Sequence, residues 1–245
     1  MKIALIGYGK MGRMIEGVAK ERGHEVVCVV DPCLRAEEQP LVAGIDSETF
    51  RSADVAIEFS RPDAAAQNVR EALRQGVAVV SGTTGWDVNA LREEVESGMW
   101  NGERGHAAVI WSSNYSVGVN ILFAVNRYLA QLLHKTGGYT PAITEIHHVH
   151  KLDAPSGTAV TLREGISSEM SEFRGQRSDV SCPIESIREG EVPGIHEVRW
   201  ESEADVLTLR HEAKSRQGFA LGAVLAAEWL QGKSGWHTMI EVMGI

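Results

Sequence analysis

Three cysteines in 245 residues, Cys28, Cys33 and Cys182, are too few and odd in number for a disulfide framework, and no CxxC pair is present to hold zinc. Basic residues are also short: 24 Lys and Arg against 33 Asp and Glu leave a formal net charge of −9. That balance argues against a general nucleic-acid binder, which carries a basic footprint, and against adsorption to an anionic membrane. Long apolar runs are missing. No stretch of about 18 apolar residues offers a membrane span, and the N-terminal MKIALIGYG meets glycine too soon for a secretory signal. The expectation is a soluble, cytoplasmic protein. What is present, 43% hydrophobic and 23% charged residues, is near the average of globular domains and excludes disorder, collagen and coiled coil. At roughly 100–200 residues per domain the length admits one large domain or two small ones. An acidic chain that handles an anion must do so with a local basic cluster.

The first hundred residues alternate strand, turn and helix. Lys2–Ile6, Glu25–Val30, Asp54–Phe59, Val77–Ser81 and Ala107–Trp111 are short apolar runs, with helical periodicity over Met11–Glu21, from Pro62 to Arg74 and from Asp87. Apolar runs without polar alternation, joined by helices, predict a parallel sheet covered on both faces, the doubly wound α/β pattern. After Asn114 the grammar changes. Val117–Leu133 reads as a helix, Ala142–Val149 as a strand, and a further helix starts near Ser156. Ile184–Arg188, His196–Trp200 and Val206–His211 then read as strands with no long helix between them, which predicts a second, α+β domain on an antiparallel or mixed sheet. Met170–Val180 reads as a polar loop, and Gln217–Leu230 as a helix belonging to either domain. The expected division is 1–115 with 216–245, and 116–215.

Gly7-Tyr8-Gly9-Lys10-Met11-Gly12 fits GxGxxG directly after a strand and at the opening of a helix, and Asp31 ends the second strand nineteen residues beyond Gly12. This is a dinucleotide-binding layout: a tight turn at Gly7, close backbone approach at Gly9, and helix–strand contact at Gly12. The pyrophosphate would rest on the helix N-terminus and Asp31 would take the adenosine ribose hydroxyls. A carboxylate there repels a 2′-phosphate, while Lys10 and Arg35 offset it, so NADH is expected to be preferred or used alongside NADPH.

The basic cluster stands at His147-His148-Val149-His150-Lys151, followed by LDAPSGTA. Ser156 can cap a helix whose Gly157 and Thr158 N–H groups face forward. Imidazoles, an ammonium and a helix N-terminus in one short segment suit the gripping of carboxylates and the donation of a proton. The same HHxH could instead be a solvated edge, or a zinc site completed by Glu145 or Asp153; no metal is expected. GTTGW (82–86) could be only a sharp turn, Asn114 and Asn120 could be helix caps, and the six tryptophans fit cores better than base stacking.

In order along the chain, GYGKMG (7–12), EFSRP (58–62), SGTTG (81–85), SNYSVGVN (113–120), HHVHKLDAPSGTA (147–159) and SRQGFALGAVLAAEWL (215–230) resemble the dihydrodipicolinate reductase family of diaminopimelate and lysine biosynthesis. The resemblance spans nearly the whole chain. It implies a Rossmann domain plus a substrate and oligomerisation domain, NAD(P)H as cofactor, a small cyclic dicarboxylate as substrate, and a homotetramer built through the second domain's sheet. It implies His147 as general acid and Lys151 as a second catalytic group. His148, Lys151, Ser156, Gly157 and Thr158 match the positions that hold the two substrate carboxylates. Gly7, Tyr8, Gly9, Lys10, Met11, Gly12 and Asp31 fall on the cofactor loop; Gly82, Thr83 and Thr84 match one nicotinamide-side turn, and Ser112, Ser113, Asn114 and Tyr115 the other. Arg216 matches a position approaching the cofactor near an interdomain hinge. Much of the family reads APNFS where this chain reads SSNYS, and often has Arg after the acidic residue where Asp31 precedes Pro32. Two rivals of other kinds stand beside this reading: an NAD-sensing regulator, and a different Rossmann enzyme such as an amino-acid dehydrogenase.

Overall fold

The computed structural model describes residues 1–35, 39, 41–100, 107–171 and 181–245. They divide into two compact units, Met1–Ser116 with Gln217–Gly244, and Val117–Arg216.

The first unit holds β1 (Lys2–Ile6), α1 (Lys10–Glu21), β2 (Glu25–Val30), α2 (Glu48–Arg51), β3 (Val55–Glu58), α3 (Pro62–Arg74), β4 (Ala78–Ser81), α4 (Val88–Glu96) and β5 (Ala108–Trp111). The second holds α5 (Val117–Thr136), β6 (Thr140–His147), α6 (Gly157–Ser171), β7 (Ile184–Arg188), β8 (Ile195–Glu201) and β9 (Val206–Glu212). The chain then returns to the first unit with α7 (Gln217–Leu230), β10 (Gly235–His237) and α8 (Met239–Met243).

The first sheet has the order β10-β5-β4-β3-β1-β2, every pairing parallel. Both of its faces are covered, which is why its strands read as unbroken apolar runs. Ile3 and Leu5 enter a core with α1 and α7, while Ala4 and Ile6, pointing the other way, enter a core with Phe50, Val69, Leu73, Leu91 and Val95. The strand order reverses beside β1, and in open α/β sheets ligands bind in the crevice at the carboxyl ends of the strands at such a point. A lone parallel bridge, Val29 to Val42, continues the sheet beyond β2.

The second sheet has the order β7-β6-β8-β9; β6 runs parallel to β7 and antiparallel to β8, so it is mixed as expected. Pro141, Ile143, Glu145 and His147 alternate onto the buried face of β6. Across the register lie His196, Val198 and Trp200 of β8. The Ile143–Val198–Trp200 part is apolar and packs under Leu122, Ala130 and Leu133 of α5 and Ala159, Leu162 and Ile166 of α6. The other end of the same face carries Glu145, His147 and His196, all buried. One face is therefore hydrophobic core at one end and a polar cluster at the other.

Several elements depart from the sequence expectations. β6 begins at Thr140 and ends at His147, so His148–His150 lie beyond the strand. Its first residues pair with β8 alone and β7 joins only at Ile143, which leaves room for Pro141. Helix α6 runs through Met170 to Ser171, two residues expected in a loop; 172–180 lie outside the described residues. The four-residue α2, capped by the Ser47 side chain on Phe50 N–H at 3.1 Å, and the three-residue β10 are too short to show a period. Among the described residues no helix is long and apolar enough to cross a membrane.

Candidate active site

In the first unit the glycine loop is shaped by contacts that no side chain could survive. Gly7 has φ +88, and a Cβ there would lie 2.2 Å from the Phe59 carbonyl oxygen. A Cβ on Gly12 would lie 2.2 Å from the Gly7 oxygen, which is how α1 sits down on the loop. Gly9, the N-cap of α1, has nothing within 4 Å of a Cβ and leaves its backbone open. The Asp31 carboxylate accepts Tyr8 N–H at 2.8 Å and Cys33 N–H at 2.9 Å, fixing the end of β2 to the loop. The Tyr8 side chain is buried, its hydroxyl bonded to Glu16 and its ring under Arg13 at 4.6 Å, so what Tyr8 presents is backbone. Lys10 is exposed and Met11 half-buried.

Beside this loop, Glu58 at the end of β3 is wholly buried and ringed by donors. It accepts Ser60 N–H at 2.9 Å, Thr83 Oγ1–H at 2.7 Å and Ser81 Oγ–H at 2.6 Å, with the Ser60 hydroxyl also bound. The 82–85 turn is thus tied to β3. Trp86 and Trp111 donate their indole N–H groups to the Thr83 carbonyl at 2.7 and 3.0 Å, and a Cβ on Gly82 would strike the Phe59 ring at 2.2 Å. Thr83 is accordingly buried and Thr84 exposed. Following β5, Ser112 Oγ–H donates to the Asn114 carbonyl at 2.8 Å and Oγ accepts Asn114 N–H at 3.2 Å, and Asn114 Oδ1 accepts Ser116 N–H at 2.9 Å, a local turn. Ser113 is exposed, whereas Tyr115 is buried with its hydroxyl 2.8 Å from the Ser81 carbonyl; burial pushes its pKa well up. The Tyr115 side chain therefore belongs to the core.

In the second unit, the alternation of β6 places Glu145 and His147 on the same face. Nδ1 of His147 lies directly against Oε2 of Glu145. The other oxygen of Glu145 accepts Arg188 Nη2 at 3.0 Å and Ser156 N–H at 3.3 Å. Arg188, paired with His147 across β7 and β6, also donates to the carbonyls of Asp153 at 2.6 Å and Lys151 at 3.3 Å. It therefore clamps the segment that follows the strand. Ser156 caps α6 through Ala159 N–H at 3.3 Å, and its hydroxyl meets His196 Nε2 at 3.2 Å. The His147 and His196 rings meet edge to face at 5.0 Å. Lys151 pairs with Asp153 at 2.8 Å, and exposed His150 turns away to Glu191 at 3.2 Å. His148 is half-buried, Gly157 is exposed at the first position of α6, and Thr158 is half-buried.

The electrostatics follow from this placement. Burial pushes the His147 pKa down, and Lys151 and Arg188 add to that while Glu145 opposes it. His196, more deeply buried and facing His147, falls to about 3 and stays neutral. For Glu145 burial works upward, but hydrogen bonds from Ser186 and Arg188 and the charge of His147 outweigh it and hold the carboxyl below its usual range. Donor atoms of Glu145, His147 and His196 lie within 4.8 Å of one another. Glu145 already bonds to Arg188, His196 to the Ser156 hydroxyl and His147 lies against Glu145, although Glu145 Oε2, His147 Nδ1 and His196 Nδ1 have no hydrogen-bond partner among the described residues; two cations, Arg188 and Lys151, stand beside them. That is the setting of a proton-handling site and repels a further cation.

The structure thus brings His147, Lys151 and the Ser156–Thr158 helix start to one end of the second sheet, and the 7–12 loop, Asp31 and the 82–84 turn to the carboxyl ends of the first. Arg216 is the last, exposed residue of the second unit. Sequence reasoning passed over Arg188 and His196, which reach the cluster only through strand register. It considered Glu145 solely as a metal ligand, although the i, i+2 spacing with His147 was a visible sign of a shared face.

The family profile described as dihydrodipicolinate reductase, N-terminus, matches residues 1–115, and that described as dihydrodipicolinate reductase, C-terminus, matches 118–243. A 4-hydroxy-tetrahydrodipicolinate reductase of Christiangramia forsetii is 42% identical over 99% of this chain and 98% of its own length. The chain belongs to the dihydrodipicolinate reductase family. A relative of the same name from Archaeoglobus fulgidus is 35% identical over 99% of this chain and 100% of its own. Among solved structures, a dipicolinate-bound dihydrodipicolinate reductase from Paenisporosarcina sp. TG-14 matches with a TM-score of 0.77 at 21% identity over 98% of each chain. A myo-inositol dehydrogenase from Corynebacterium glutamicum, 16% identical over 96% of this chain and 90% of its own, reaches 0.61, so this fold carries other activities as well. The family is one of NAD(P)H-dependent reductases. The first unit fits such a cofactor: Gly7 and Gly12 close the turn where a Cβ has no room, and Gly9 leaves open the approach to the N-terminus of α1.

Proposed function

We propose that this chain reduces 4-hydroxy-tetrahydrodipicolinate, or its dehydrated form, to tetrahydrodipicolinate in diaminopimelate and lysine biosynthesis, using NADH by preference or together with NADPH. The observation that carries the chemistry is His147, held at the end of β6 against a buried carboxylate with Lys151 and the α6 N-terminus beside it.

The reaction takes up one hydride and one proton, and the hydroxylated ring also loses water. The 7–12 loop, Asp31, the 82–84 turn, the 112–115 segment and Arg216 would hold the dinucleotide, whose nicotinamide would supply the hydride. Lys151, His148 and the backbone N–H groups of Gly157 and Thr158, with the Ser156 hydroxyl, hold the ring by its two carboxylates. This local positive end answers the need set by a net charge of −9. His147, protonated, gives its proton to the ring as negative charge develops there. Acid catalysis of this kind contributes about 10²–10⁴-fold. His147→Gln is therefore expected to lower kcat within that range with little change in KM, and Lys151→Ala to damage both. Unchanged turnover in His147→Gln removes it from the mechanism.

Asp31 supports the cofactor preference, because a carboxylate at the end of the second strand would repel a 2′-phosphate, and Pro32 follows it in place of a cation. NADH and NADPH oxidation by freshly generated substrate, with and without pyridine-2,6-dicarboxylate, tests substrate class and preference together; a strong preference for NADPH refutes the latter. The outer face of the second sheet, with Thr208, Arg210 and Glu212 of β9 and Arg199 and Glu201 of β8 exposed, supports a homotetramer through that face. Light scattering after size exclusion tests it, and a monomer refutes it. Free thiols at Cys28, Cys33 and Cys182 fit the cytoplasm.

A further inference from the structure

We propose that Glu145 is a positioning residue for the proton donor. Its Oε2 fixes the His147 ring through Nδ1, so that Nδ1 keeps its hydrogen throughout the cycle and Nε2 is the atom that delivers the proton. The proposal rests on the reading of His147 as the general acid.

Glu145 and His147 are two residues apart on one strand, so the pleat alone aims both side chains to the same side. Oε2 of Glu145 and Nδ1 of His147 lie against each other as an ion pair, and neither atom has another hydrogen-bond partner to hold it among the described residues; the pairing is one of charge and close approach. The carboxylate is itself held from behind: Oε1 carries Arg188 Nη2 at 3.0 Å and Ser156 N–H at 3.3 Å. It therefore remains ionised and cannot rotate away. Nε2 points the opposite way, toward Gly194, where a Cβ would lie 3.1 Å from it. With glycine there, no side chain at 194 covers the nitrogen. The groups facing His147 are Glu145 on its own strand, Lys151 and Asp153 from the following segment, Arg188 from β7, and His196 from β8, with His211 paired behind it on β9.

The proton balance follows from that geometry. In the protonated ring both nitrogens carry hydrogen. The Nε2–H bond breaks as a C–H bond forms on the substrate, its electron pair stays on Nε2, and the ring is left as the Nδ1–H tautomer facing Glu145. The carboxylate favours the charged ring, offsetting the pull of burial, Lys151 and Arg188, so without it His147 is deprotonated at lower pH.

Two measurements test this. Imidazole ¹⁵N shifts of His147 in the ligand-free wild-type protein at high pH are expected to show hydrogen on Nδ1 and a bare Nε2; the opposite tautomer overturns the proposal and needs no variant to fold. In Glu145→Gln, the NMR midpoint of His147 and the alkaline limb of kcat/KM are both expected to move down by about 1–3 pH units, the effect of removing an opposite charge at this range. Limbs that stay at the wild-type pH overturn the proposal. His147→Gln separates the two claims: if it retains wild-type kcat, the assignment of the general acid fails, whereas a dead His147→Gln beside an unshifted Glu145→Gln refutes only the role of Glu145.

Discussion

Replacing Arg188 by Met probes what holds the polar end of the second sheet together. The side chain keeps much of its length but loses the guanidinium. Glu145, fully buried, would then retain the Ser156 N–H at 3.3 Å as its backbone donor, and the Asp153 and Lys151 carbonyls would lose their donor. Removing one partner of a buried ion pair costs about 3–5 kcal/mol, because the surviving charge stays out of water. The two carbonyls belong to an exposed segment where water can replace the donor, so they add less than the about 1 kcal/mol of an ordinary hydrogen bond. The Arg188 side chain is itself 20% exposed, which places the expectation at the lower end, about 3 kcal/mol.

Urea unfolding of wild type, Arg188→Met, Glu145→Gln and the double variant at pH 7.5 gives the coupling directly. The double variant buries an amide beside a thioether in place of a charge without its partner, and should recover at least half of the Arg188→Met loss. The penalty also has a pH signature. The folded Glu145 pKa lies below its unfolded value, so its stabilising contribution is complete above the ordinary carboxylate range and is lost as pH falls through the folded value. The Arg188→Met deficit should therefore shrink on acidification below about pH 4. A loss under about 1 kcal/mol at pH 7.5, or single-variant losses that simply add, would refute the claim that these charges hold one another.

Other outcomes follow from the same structure. His196 is neutral and its folded pKa, about 3, lies below the unfolded one, so stability should decline as pH falls from about 6.5 toward 3, at up to about 1.4 kcal/mol per pH unit; His196→Asn should flatten that slope in acid unfolding curves. Glu58→Gln should loosen the 82–85 turn and raise KM for NADH several-fold with little change in the affinity for pyridine-2,6-dicarboxylate, since its partners Ser60, Ser81 and Thr83 all belong to the first unit. Equal damage to both affinities would count against it. Gly222→Ala puts a Cβ 1.7 Å from the Tyr115 carbonyl oxygen, and scanning calorimetry should find a loss of about 1–3 kcal/mol or more. An unchanged Tm would mean that α7 can move away from Tyr115 at no cost.

The first sheet was legible because of how it is buried. A strand covered on both faces is apolar at most positions, so β1, β2, β3, β4 and β5 announced themselves as runs ending near Gly, Pro or Ser. The pieces that escaped notice are those whose sequence carries no period. β10 has three residues, α2 has four, and the Val29–Val42 bridge has one pair. Pro141 concealed the start of β6 for a different reason: a missing N–H normally ends a strand, but here the second neighbour, β7, does not begin until Ile143.

The site divides along the same line between local and distant information. His147, Lys151, Ser156, Gly157 and Thr158 are neighbours in sequence, and their types already stated a chemistry of anions and protons. Glu145 lay within the same local window, and the pleat of a single strand was sufficient to place it beside His147. Arg188 stands forty-one residues beyond His147 and His196 eight further on, and only the pairing of β7 and β8 with β6 turns them into neighbours. Side chains that meet through register leave no local trace, because many sequences could bring an arginine and a histidine to those places. The residues proposed to contact the reacting molecule are thus read mostly from the motif, while Arg188 and His196, which shape the surroundings of His147, are read from the sheet. Burial, Lys151 and Arg188 push the His147 pKa down, and Glu145, two residues away on the same strand, opposes them.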